Sequence, residues 1–170
     1  MKRFVFAFLA IAVFALGSGS ALAAPPSDPV GFVLTAASCP NLPTGTVITG
    51  TGTTKTVENM TTDDSGVTTV TNTTHAFGTA TDQEGNTYRF NYSNHFRISN
   101  TGPTDPVLSG VMVDSFSLAG NGPAQLHNGF RAEFTLDFSQ PDGPVASFVE
   151  LSSRGDPLDF ATGESRCDPL

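Results

Sequence analysis

The 170-residue chain carries 16 Asp+Glu against 8 Lys+Arg, a formal charge of −8, with two cysteines and no tryptophan. One domain is the default at this length, and 38% hydrophobic residues suffice for a packed core, which excludes wholesale disorder. Acidity on this scale repels nucleic acid and anionic membrane surfaces, and no basic cluster stands out along the chain to offset it.

The first residues read Met1, Lys2, Arg3, then an apolar run of 13 residues from Phe4 to Leu16, then Gly17-Ser18-Gly19-Ser20 and Ala21-Leu22-Ala23. A short basic start, a short apolar stretch and a small-x-small site predict a secretory signal cleaved after Ala23. The apolar run is too short for a membrane span, which needs about 20 residues. No cysteine sits near the cleavage point, which argues against a lipid anchor. Leu42-Pro43-Thr44-Gly45 matches a cell-wall sorting signal only in part and lies at the wrong end of the chain. No hydrophobic tail precedes Asp168-Pro169-Leu170. The expectation is a released, extracellular monomer with no membrane span. Loss of residues 1–23 leaves 147 residues and 6 − 16 = −10 charges, because both lost charges are basic.

Residues 24–29 (Ala-Pro-Pro-Ser-Asp-Pro) read as a short stiff linker, and 30–170 as a single β domain. No helical periodicity runs beyond a turn. Val/Thr/Phe-rich segments recur instead at about 30–37, 45–57, 66–77, 86–98, 107–118, 125–138 and 145–151, with a weaker eighth near 158–164. Turn residues separate them: Asp63-Asp64-Ser65-Gly66, Asp82-Gln83-Glu84-Gly85-Asn86, Gly120-Asn121-Gly122-Pro123 and Gln140-Pro141-Asp142-Gly143-Pro144.

Thr makes up 17 of the 44 residues from Thr44 to Thr87, so the early strands look thin in core residues. In 86–98, Tyr88, Phe90, Tyr92, Phe96 and Ile98 alternate with Thr87, Arg89, Asn91, Ser93, His95 and Arg97. In 125–138, Leu126, Phe130, Ala132, Phe134, Leu136 and Phe138 oppose Gln125, His127, Arg131, Glu133, Thr135 and Asp137. Such alternation marks an antiparallel sheet with one wet face. Segment 107–118 is apolar on both faces and reads as central.

An all-β antiparallel meander of seven or eight strands follows, closed or nearly closed as a small barrel, with a β-sandwich as the alternative. Cys39 and Cys167 are the only cysteines, and an even pair in an oxidising compartment reads as one disulfide. First and last strands are neighbours in an up-and-down barrel, which would bring the pair together.

Chemistry-bearing motifs are scarce. There is no Gly-x-Ser-x-Gly elbow, phosphate-binding glycine loop or zinc-ligand spacing, so no catalytic residue, metal site or cofactor is expected. His75, His95 and His127 lie on separate segments and read as strand residues. Asp82-x-Glu84-x-Asn86 places oxygen donors at alternate positions, yet lacks the glycine and bidentate Glu of a calcium loop. Arg154-Gly155-Asp156 precedes Pro157 and reads as a turn. Asn59-Met60-Thr61, Asn72-Thr73-Thr74 and Asn91-Tyr92-Ser93 match the glycosylation sequon, which matters only in a eukaryotic secretory route. The candidate ligand-binding set is Arg89, His95, Arg97, His127, Arg131 and Glu133. It lines a pocket if the polar faces turn inward and a wetted surface if they turn outward; the second is favoured.

Asp114-x-Phe116-x-Leu118-x-Gly120-x-Gly122, Gly129-Phe130-Arg131, Ser153-Arg154-Gly155-Asp156-Pro157 and the closing Arg166-Cys167-Asp168-Pro169-Leu170 resemble a group of small exported actinobacterial proteins over residues 105–170. The resemblance implies export and a β-rich, disulfide-closed fold, and no activity. The expected function is a non-catalytic binding module for a small apolar ligand or a protein partner. An envelope-associated structural protein and a secreted barrel enzyme working through the His/Arg/Glu set are the alternatives.

Overall fold

A computed structural model describes residues 27–37, 39 and 41–155, with the backbone alone at 158–159 and 164–165. The signal segment and Cys167 lie outside the described residues. Seven antiparallel strands form one sheet in chain order: β1 (Ser27–Thr35), β2 (Val47–Thr62), β3 (Thr68–Asp82), β4 (Thr87–Ser99), β5 (Val107–Gly120), β6 (Leu126–Asp137) and β7 (Val145–Arg154). Two short strands, β8 (Leu158–Asp159) and β9 (Glu164–Ser165), pair with each other at the place of the weak eighth segment. Among the described residues no helix is long and apolar enough to cross a membrane.

The meander is the expected one, and the sheet is not closed: β1 and β7 are its two edges. The middle strand is β4 rather than the expected 107–118 segment, which forms β5. Of the apolar residues on β5, Leu108, Met112, Phe116 and Leu118 are buried while Val113 is 45% exposed. Strand β1 begins at Ser27, so the last three residues of the expected linker pair with Lys55, Thr54 and Thr53. Phe138 falls just past β6 and is 44% exposed, so it does not share the buried face of that strand.

Burial alternates along β4 and β6 as the pattern predicts. Tyr88, Phe90, Tyr92, Phe96 and Ile98 are buried, as are Leu126, Ala132, Phe134 and Leu136. These inner residues gather in two clusters. One packs Phe32, Leu34, Cys39, Ile48, Phe90, Phe116 and Leu118; the other packs Phe96, Ile98, Leu108, Met112, Phe134 and Leu136. A polar row, Thr56, Thr74, Asn94 and Asp114 in register across β2 to β5, crosses the inner face. Asp114 is buried and accepts hydrogen bonds from the Tyr92 hydroxyl at 2.8 Å and the Asn94 amide at 3.0 Å. Donors of this kind are what allow a carboxylate to sit in a core.

The thin early strands have a packing role. At Gly50, Gly52, Ala76, Gly78 and Ala80 the inner face of β2 and β3 is a floor with almost no side chains. The rings of Phe32 and Phe90 lie against this floor, edge to face at 4.9 Å between centroids. A Cβ on Gly78 would sit 2.2 Å from the Thr51 carbonyl oxygen, so no larger residue fits there without backbone movement. Few core side chains on two strands are offset by large ones from β1 and β4.

Turn chemistry fixes the register. Hairpins at Asp63–Val67 and Asp82–Asn86 share one construction, with Gly66 (φ 81°) and Gly85 (φ 84°) in the left-handed region. Each leading aspartate accepts amide hydrogen bonds from two and four residues ahead. A closely related device, with amides two residues ahead, is used by Asp105 and Asp137.

Candidate functional site on the outer sheet face

Period-two geometry sends every second side chain to the outer face, and the register shows what collects there. Across β2 to β7 one row reads Asn59, Thr71, Arg97, Val111, Glu133 and Val149. The next reads Val57, Thr73, His95, Val113, Arg131 and Ser152. A third reads Lys55, His75, Ser93, Ser115, Gly129 and Arg154. Further along lie a row of Phe77, Asn91, Ser117 and His127, and a row of Thr79, Arg89 and Ala119.

All six candidate residues, Arg89, His95, Arg97, His127, Arg131 and Glu133, are exposed on this face. They line no interior cavity. The structure brings four of them into one patch. His95 and Arg131 flank Val113, and Arg97 and Glu133 flank Val111 in the adjoining row. Strand spacing puts the β4 and β6 members about 10 Å apart at the backbone. Arg89 and His127 lie toward the other end of the sheet. His95 shares a hydrogen bond with the Thr73 hydroxyl at 3.0 Å, and Ser93 with Ser115 at 2.9 Å.

Lys55, His75 and Arg154 join this face, and no reading of the separate segments had linked them to it. All five cations among the described residues, Lys55, Arg89, Arg97, Arg131 and Arg154, occupy outer positions, with all three histidines of the chain. Of the 12 carboxylates among the described residues, only Glu133 and Asp137 do so. The outer face therefore has a formal charge of 5 − 2 = +3 on a chain of −8. The cations are dispersed in sequence, and the pleat places them on one face. Period-two counting on the Thr-rich segment would have exposed the signal at Lys55 and His75.

Exposed apolar side chains lie among the cations: Val149 at 60%, Val57 at 54%, Phe77 at 49% and Val113 at 45%. Beside Arg89 the face dips into a depression of about 280 Å³ bordered by Thr79, Thr87, Ala119 and Asn121. The inner face offers far less room. A recess of about 40 Å³ lies between Met60, Val70, Phe96, Ile98, Phe134 and Leu136, with Glu58 and Phe138 at its edge. Small-molecule sites span about 300–1,000 Å³, so that recess is too small for one.

The carboxylates serve the turns. The Ser65 hydroxyl and Val67 amide hold the Asp63 carboxyl below its ordinary value. The Thr101 hydroxyl and Val107 amide do the same for Asp105, and Ser139 and Gln140 for Asp137. At Asp82 burial pushes the value up, and hydrogen bonds from Asn86 and Tyr88 outweigh it, so the net direction is down. Burial and the bond to Asp82 raise the Tyr88 phenol. Asp82 accepts from the Glu84 and Asn86 amides, the Asn86 side chain and the Tyr88 hydroxyl, at 2.8–3.0 Å. Its donors explain the alternate acidic pattern at 82–86 as a hairpin turn. Among the described residues no group of three or more His, Cys, Asp or Glu is placed to hold a metal ion.

No family model, curated protein or solved structure matches the chain.

Proposed function

We propose that this chain is an exported, non-catalytic binding module that meets its partner across the outer face of the sheet. The observation that carries the reading is the sorting of charge, with every described cation on one side of one sheet. Burial keeps cations off the inner face, but it gives no reason for carboxylates to be so few on the outer one, where only Glu133 and Asp137 of the 12 described lie. Exposed Phe77, Val57, Val113 and Val149 add apolar contact to the same surface. The small volume of the inner recess, about 40 Å³, argues against the alternative of a small apolar ligand held inside.

Export, kinship with the exported actinobacterial group and a Cys39–Cys167 bridge belong to the same proposal. Cys39 is fully buried in the cluster that also contains Ala124 and Leu126, which fits a bridged rather than a reactive cysteine. Strand β7 runs toward that end of the sheet and leaves it at Gly155, beside Asn128. A bridge there would tie the two edges of the open sheet covalently, completing a nearly closed barrel without β1–β7 hydrogen bonds.

The test compares an apolar fluorescent probe with immobilised neutral, carboxylated and aminated dextran. Binding to a polymer is expected, weakened at least tenfold by the combined substitutions Arg97→Glu and Arg131→Glu at unchanged melting temperature. Binding of the apolar probe alone, or polymer binding indifferent to the double variant, would overturn the proposal.

A further inference from the structure

We infer that the partner is an extended, carboxylated polysaccharide lying along β4. This rests on the outer face being the binding surface. Strand β4 is the fourth of seven, so its outer side chains run down the middle of the face. In order they are Arg97, His95, Ser93, Asn91 and Arg89, all exposed except the half-buried Ser93. Eight residue steps separate the two arginines, a track of about 27 Å at strand rise.

Three features fit this partner. Arginine dominates, with Arg89, Arg97, Arg131 and Arg154 supplying four of the five cations. The planar guanidinium matches a carboxylate with two parallel hydrogen bonds. Between the arginines, beside His95 and Val113, lie the hydroxyls and amides of Asn91, Ser93, Ser115 and Ser117, which suit sugar hydroxyls. The depression beside Arg89, bordered by Thr79, Thr87 and Asn121, is wide enough to seat part of one sugar and its carboxylate at the end of the track.

Other polyanions fit less well. Single-stranded nucleic acid is held by aromatic platforms on which bases stack, and this face exposes one aromatic ring, Phe77. Anionic bilayers recruit clusters of four to eight adjacent cations, whereas these five are spread over four of the seven strands with two carboxylates among them.

The experiment uses the mature chain with polygalacturonate, its fully methyl-esterified form, galacturonic acid monomer, single-stranded DNA and phosphatidylglycerol vesicles. Polygalacturonate should bind with strong salt dependence, and the esterified polymer and the monomer at least tenfold more weakly. The paired variant Arg89→Gln/Arg97→Gln should lose at least tenfold at unchanged melting temperature, and Glu133→Gln should bind severalfold tighter. Equal binding of the esterified polymer, or no binding of polygalacturonate, would overturn the inference. Tighter binding of DNA or vesicles through the same arginines would also overturn it while leaving the outer face as the binding surface. Polygalacturonate binding unaffected by any outer-face variant would remove both.

Discussion

The two faces of this one sheet are made by the same strands and obey opposite rules. On the inner face, large side chains of β1, β4, β5 and β6 cover a glycine and alanine floor on β2 and β3, and the buried carboxylate of Asp114 is held by the Tyr92 and Asn94 donors. On the outer face nothing is covered, yet the residues are far from random: every described cation is there and ten of 12 carboxylates are elsewhere. Burial explains the apolar inner face and the absence of cations from it, but not the scarcity of carboxylates on the outer face. A non-random surface without a folding reason points to function.

Substitutions should therefore separate the faces by what they damage. The largest effects belong to the interior. Phe116, 2% exposed and edge-on to Phe32, should cost about 3–5 kcal/mol when replaced by Ala, read as a drop in denaturation midpoint. Reduction of the proposed Cys39–Cys167 bridge should cost about 5 kcal/mol at most, read as a lower melting temperature. Two reactive thiols in the native, unreduced protein would refute the bridge. Gly78→Ala should cost roughly 1–3 kcal/mol, because the added Cβ meets the Thr51 carbonyl; no loss would mean that the β2–β3 floor yields.

Acid sensitivity should come from the turns. Asp63, Asp105 and Asp137 have lowered pKa values in the fold, so the stability they add is present in full above the ordinary carboxylate range. It is lost as pH falls through the lowered values. Melting temperature should decline over that window, and combined Asp63→Asn and Asp105→Asn should flatten the decline. The smallest stability effects belong to the outer face, where Arg89→Gln, Arg97→Gln and Arg131→Gln should each stay within about 0.5 kcal/mol.

Much of the inner face was legible in the sequence. Alternation through Tyr88–Ile98 and Leu126–Leu136 specified strands, faces and meander order, because a period of two has one structural meaning. Asp63–Gly66 and Asp82–Asn86 announced their hairpins through residues that tolerate positive φ. Two features were hidden. Counting apolar residues made β2 and β3 look weak, since glycine contributes to packing by its absence and only the opposing rings reveal it. The basic face was hidden because its members are up to 99 residues apart, from Lys55 to Arg154, and only strand register places both in one row. The candidate set Arg89, His95, Arg97, His127, Arg131 and Glu133 was found, but its orientation depended on which way each strand faced.

Amide chemical-shift mapping with polygalacturonate tests the central claim most directly. Perturbations should run along β4 from Arg89 to Arg97, with Thr73, Ser115 and Arg131 on the flanking strands, and spare Met60, Met112 and Leu136 inside. Perturbations centred on the inner recess between Met60 and Phe134, with the β4 outer residues silent, would contradict it.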